Sequence, residues 1–148
     1  MTDALPPSGS GRSDLRQYYR SAWLRLRDGL PLEPLQAQVA AVVQEHPEYH
    51  ALLEGADALT REFQPALGEA NPFLHMGMHL ALRDQVATDR PKGIRRLHER
   101  LSARRGGTHE AEHAMMECLG MALWEAQRTG RFQDEAAYRD CLKRLLNR

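Results

Sequence analysis

Two cysteines in 148 residues are too few for a disulfide framework. Cys118 and Cys141 therefore read as packed thiols at apolar or small helical positions, and a reducing, cytoplasmic setting is expected. Long apolar runs are missing too: none approaches the roughly 20 residues that span a bilayer, so no membrane partner is expected. Neither sign of charge is in excess, with twenty basic side chains against twenty acidic ones. That balance argues against general affinity for nucleic acid. The opening MTDALPPSGSGRSD has neither the charged start nor the apolar stretch of a signal peptide. A glycine-rich phosphate loop, a nucleophile elbow and a Cys-x-x-Cys pair are all absent, and the few serines have no convincing catalytic neighbour.

Alternation of apolar and polar residues, the signature of a strand, is also lacking. Helical spacing is everywhere. Residues 1–12 are rich in Pro, Gly and Ser and read as a disordered tail. Ser13-Asp14 starts a helix with the stripe Leu15, Tyr18, Tyr19, Ala22 and Leu26, closed by Asp28-Gly29 and Pro31. A second helix begins near Glu33-Pro34 and is interrupted at His46-Pro47, because the residue before a proline is pushed from helical angles. Pro47 to Glu54 restarts as a short helix, and a further one is expected over about 57–67. Asn71-Pro72 opens a helix to about Ala87. Asp89 and Pro91 open the next, with Ile94, Leu97 and Leu101 inward and Gly106-Gly107 closing it. Thr108 caps a long helix to about Thr129, Gly130 stops it, and Asp134 starts the last, with Tyr138, Cys141, Leu142 and Leu145 on its stripe. The expected fold is all-α, a compact bundle of about six or seven short helices forming a single domain over 13–148.

Seven histidines would mean little if scattered, but six fall in pairs at a spacing of four, two of the pairs on uninterrupted helices. His75 and His79 share one helical face, as do His109 and His113. At 100° per residue, His75, His79, Leu82 and Val86 lie within about 60°, while Arg83 and Asp84 point away. His109, His113, Met116, Gly120 and Trp124 share about 80° of arc, with Glu117 flanking them. Both pairs are thus expected on inward faces. Each buried imidazole needs partners, and an unmet polar group costs roughly 1–3 kcal/mol. One metal ion would satisfy several rings at once. The candidate ligands are His75, His79, His109 and His113, with Glu117 a fifth ligand or a base. Zinc suits this set best, and iron, manganese or nickel would also fit. A closed four-histidine site would be structural and an open one catalytic, and spacing alone serves both. The competing reading is a set of core histidines satisfied by carboxylates such as Glu110 or Asp84.

Other patterns carry less. HEAEH (109–113) matches the zinc-protease pattern H-E-x-x-H, but no strand is expected beside it to hold a substrate. His46 and His50 form a third pair, with His46 expected to cap the helix carrying His50; the pair either extends the cluster or makes a pH-sensitive surface pair. His98 lies beside the Ile94, Leu97, Leu101 stripe and reads as packing. Residues 91–105 hold Lys92, Arg95, Arg96, Arg100, Arg104 and Arg105 against Glu99 alone. This basic helix supports an alternative function, a metal-free interaction or regulatory protein that docks an acidic partner. Its arginines are spread around the wheel without aromatics to stack bases. The methionines beside the histidines read as core filling.

HPEYHALLE (46–54), NPFLHMGMHLALRDQ (71–85), DRPKGI (89–94) and HEAEHAMMECLGMALWEAQRTGR (109–131) resemble domain-of-unknown-function family 1841, a family of small proteobacterial proteins. The resemblance runs from about residue 15 to the end, and all three histidine pairs lie in its matching blocks. It implies a small cytosolic bacterial protein and supplies no activity.

Overall fold

The computed structural model describes residues 11–64, 70–130 and 135–148. Among them are seven α-helices and no strand: α1 (Gly11–Arg27), α2 (Pro34–Gln44), α3 (His50–Glu54), α4 (Pro72–Thr88), α5 (Ile94–Arg105), α6 (Thr108–Thr129) and α7 (Glu135–Leu145). A 3₁₀ turn over Pro47–Tyr49 leads into α3. No helix among the described residues is long and apolar enough to cross a membrane. Two compact units follow one another along the chain, the first ending at Met76 and the second beginning at Gly77.

In the first unit α1 packs on α2 and α3, burying Tyr19, Ala22 and Trp23 with Val39, Val42, Val43 and Leu53. The α1 stripe differs from the expected one. Leu15 is exposed and Arg16 is buried, because the Arg16 guanidinium donates to the Arg61 and Ala58 carbonyls and lies over the Phe73 ring. The same contacts account for the helix that does not form over 57–64. Residues 57–60 make a turn and 61–64 are irregular; two carbonyls are held by Arg16, and Pro65 disfavours helical angles at Gln64. The rest of that expected helix, 65–67, lies outside the described residues, as do residues 1–10 and Asp134. Gly11 and Arg12, read as tail, are the first residues of α1.

Three start signals elsewhere act as expected, but Thr108 does not cap: it is the first residue of α6, and Gly107, which has no side chain to bond, holds the cap position. The Gln36 amide oxygen accepts from the Glu33 backbone N–H at the head of α2, and Asn71 Oδ1 accepts from the Phe73 N–H at the head of α4. Asp89 Oδ1 accepts from the Gly93 and Arg95 amides where α5 begins. In the second unit α5, α6 and α7 pack on one another. Their core is Ile94, Leu97, Leu101, Ala111, Met115, Leu119, Leu142 and Leu145, joined by Leu82 of α4. Tyr138 donates to Gln85 Oε1 at 2.7 Å, and burial pushes its phenol up to about 12.

The cysteine expectation is overturned. Cys118 of α6 and Cys141 of α7 form a disulfide, with Cα atoms 5.7 Å apart. Cys141 had been placed on the α7 stripe and Cys118 at an apolar or small-residue position of the preceding helix, and the packing of α6 on α7 turns the two positions toward each other, which spacing within one helix does not reveal. A reducing compartment can no longer be read from these two residues.

Candidate metal centre

Chain breaks around α2 explain two of the seven histidines. Pro47 has no N–H to give to Val43 O, and the last α2 carbonyls, Val42 and Val43, accept from the Glu45 and His46 amides and keep a lone pair for a side chain. His46 Nδ1 donates to Val42 O and His50 Nε2 to Val43 O, each at 2.8 Å. His46 is buried and occupies the position before the 3₁₀ turn, but its side chain makes no cap there. Its ring serves the end of α2 instead. The His50 ring stacks on Trp23 with centroids 4.0 Å apart, and the Trp23 indole donates to Glu54. His75 lies edge-on to His46, centroids 5.1 Å apart, and edge-on to Tyr49. These contacts belong to the first unit.

Three histidines converge in the second unit. α4 carries His79, which is fully buried, and the first turns of α6 carry His109 and His113. The His79 ring lies 5.0 Å from both the His109 and the His113 rings, and the latter two are 4.3 Å apart. One ring nitrogen from each lies within 4.8 Å of one from each of the others. Tetrahedral zinc with Zn–N of about 2.0–2.1 Å needs nitrogens about 3.4 Å apart, so small side-chain adjustments would close the set.

The acid at this centre is Glu112, which sequence reasoning did not single out. It is 3 % exposed. Its Oε1 accepts from His79 Nδ1 at 2.7 Å, and both its oxygens accept from Arg83 Nε at 3.1–3.2 Å. Burial alone would push this carboxyl up, but the hydrogen bonds from His79 and Arg83, with their charges, outweigh it and hold the carboxyl below its ordinary value. An ionised carboxylate only accepts, so Nδ1 of His79 carries a proton, and in the neutral form of the ring the lone pair is on Nε2. Arg83, expected to point away, lies one turn beyond His79, and its long side chain reaches back to the carboxylate. His98, expected to be simple packing, brings Nε2 to 4.0 Å from Glu112 Oε2.

The remaining acidic candidates lie elsewhere. Glu117 is exposed and pairs with Arg148 at 3.2 Å. Glu110, the glutamate of the H-E-x-x-H pattern, is exposed, and no strand stands among the described residues. Asp84 is exposed as well. Trp124 is 61 % exposed, although its place on the wheel had suggested an inward face. Beyond Leu119 no described residue of α6 is buried.

Residues 11–144 match the family described as Domain of unknown function (DUF1841). The chain belongs to this family. The DUF1841 match takes in every helix from α1 to all but the last residue of α7, and with them His79, Arg83, His98, His109, Glu112 and His113. Comparison with curated proteins and with solved structures finds no match.

Proposed function

We propose that the second unit binds one divalent transition metal ion through His79, His109 and His113, with Glu112 as the outer carboxylate that orients His79. The observation that carries this reading is the double engagement of His79: Nδ1 is tied to a buried carboxylate while the ring faces two further imidazoles. Metal-bound histidines characteristically donate their other ring N–H to a carboxylate, which fixes the tautomer and raises ligand basicity. A plain core histidine has no need of two more imidazoles beside it.

Three neutral nitrogens suit zinc best, with iron, manganese and nickel also accommodated. Three protein ligands leave a coordination position for water or a substrate, the arrangement of a catalytic centre rather than a closed structural one. The five-residue set read from spacing contracts in this proposal. His75 belongs with His46 and Tyr49, and Glu117 with Arg148.

The rival reading, an acidic partner docked on the basic helix, is weakened by the duties of two of its cations. Arg95 donates to the Val86 and Ala87 carbonyls at the end of α4, and Arg104 donates to the Leu146 carbonyl. Elemental analysis of untagged protein decides between the two. The metal reading expects near one equivalent of a transition metal, retained on dialysis and lost in the His79→Ala/His113→Ala double variant. Metal-free protein that also fails to take up added zinc would leave the docking reading in its place.

A further inference from the structure

The second half of α6 carries a pattern that the metal centre does not use. Glu117, Met121, Trp124 and Arg128 fall within about 60° of one another on the helix. Met121 is 66 % and Trp124 61 % exposed, the highest values among the described large apolar side chains. Arg128 holds its guanidinium 5.3 Å from the Trp124 ring centroid, which restrains the indole where it stands in solvent.

The order acid, Met, Trp, base is self-complementary. The midpoint between Met121 and Trp124 along the helix is also the midpoint between Glu117 and Arg128. A two-fold axis through that point, with two α6 helices antiparallel at a shallow angle, sets each Met121 against the other copy's Trp124. The same axis brings each Glu117 to the other copy's Arg128. Sulfur–aromatic contacts and two charge pairs then form without leaving a charge unmatched. A wholly acidic or wholly basic partner would leave half of them unmatched. We propose that this stripe is the docking surface for a second copy of the chain. The inference is independent of the metal reading.

The present partners of the two charges do not oppose it. Glu117 pairs with Arg148 and Arg128 with Glu125, and all four side chains are exposed by a third or more. Exposed pairs of this kind contribute little and exchange readily. The apolar area is modest: an aromatic side chain buries ~150–250 Å² at most. The stripe therefore falls short of the roughly 800 Å² per partner of a standard stable interface, which makes a weak, concentration-dependent dimer the expected state.

Sedimentation equilibrium of the full chain, from about 1 to about 300 µM, tests this. The wild type is expected to pass from monomer to dimer across the range. Met121→Ala/Trp124→Ala is expected to stay monomeric with unchanged helical circular dichroism. Glu117→Arg alone and Arg128→Glu alone should each weaken the dimer about tenfold or more, and the two together should restore it. Restoration is a readout that a merely disturbed fold cannot give. A wild type that stays monomeric throughout overturns the proposal, as does a dimer that survives Met121→Ala/Trp124→Ala. So does a double charge variant no better than either single one.

Discussion

Replacing Glu112 by glutamine keeps the side chain's volume and its capacity to accept from His79 but removes the charge. Two separate losses follow. Without metal, the variant gives up a charge-assisted hydrogen bond of about 1.5–3 kcal/mol. The Arg83 side chain is 28 % exposed, so water recovers part of that interaction, and the low end of the range, about 2 kcal/mol, is expected. With metal, the lost outer-shell carboxylate weakens affinity about 10–100-fold. At free zinc of about 100 times the wild-type Kd, binding stabilises the wild type by about 2.7 kcal/mol; in the variant the same zinc supplies only about 0.4–1.4 kcal/mol. The gap between the two proteins should therefore widen from about 2 kcal/mol without zinc to about 3–4 with it. Urea unfolding followed by circular dichroism, run with chelator and with buffered zinc, reads both numbers. Equal zinc-dependent stabilisation of the two proteins would mean that Glu112 does not orient a ligand. Zinc that stabilised neither protein would leave the second unit with a satisfied histidine–carboxylate–arginine network and no more.

Two further expectations concern the frame around the centre. Opening the Cys118–Cys141 disulfide, whose ends are 23 residues apart, should cost about 3 kcal/mol; the urea midpoint of the wild type should fall in reductant while that of Cys118→Ser/Cys141→Ser stays put, and a reductant-insensitive wild type would speak against the bond. Asp89 is tied chiefly to the Arg95 amide, whose hydrogen bond holds its carboxyl below the ordinary value, with the Gly93 amide and the Arg95 and Lys92 charges adding to the effect. The stabilisation from Asp89 is complete above the ordinary carboxylate value and is lost as pH falls through the lowered one. Asp89→Asn tolerates the left-handed backbone at this position (φ 54°) and cannot titrate, so its melting temperature should approach that of the wild type on acidification. A difference that does not change with pH would rule out the ionised cap.

Local chemistry was enough to mark most of the helices. Asn71, Asp89, Gly106 and Gly130 act through hydrogen bonds or backbone angles within a few residues of themselves, and so their effects can be read from the chain. The stretch after Gly55 could not be read wholly in that way, because Pro65 acts only on Gln64, whereas two of the carbonyls over 57–64 are held by Arg16, more than forty residues earlier. Leu15 and Trp124 carry the same lesson for burial. A helical wheel says which residues share a face but not whether another element covers it, and α6 runs on past the residues that bury its first half.

The centre itself was half visible, for a geometric reason. The rule that residues four apart share a face finds His109 with His113, and His75 with His79, but it searches only along one helix. Applied to acids it selects Glu117, which follows His113 by four and ends in solvent against Arg148. Glu112 sits about 100° round the helix from His113, an unpromising place for a ligand shared with it. That offset is what points Glu112 at a histidine of another helix, His79, whose Nδ1 it receives. Histidines that face one point from one helix obey the helical period, whereas an acid that hydrogen-bonds a histidine of another helix follows the packing of the two. Under the metal reading, Glu112→Gln is expected to weaken zinc binding while Glu117→Gln leaves it unchanged.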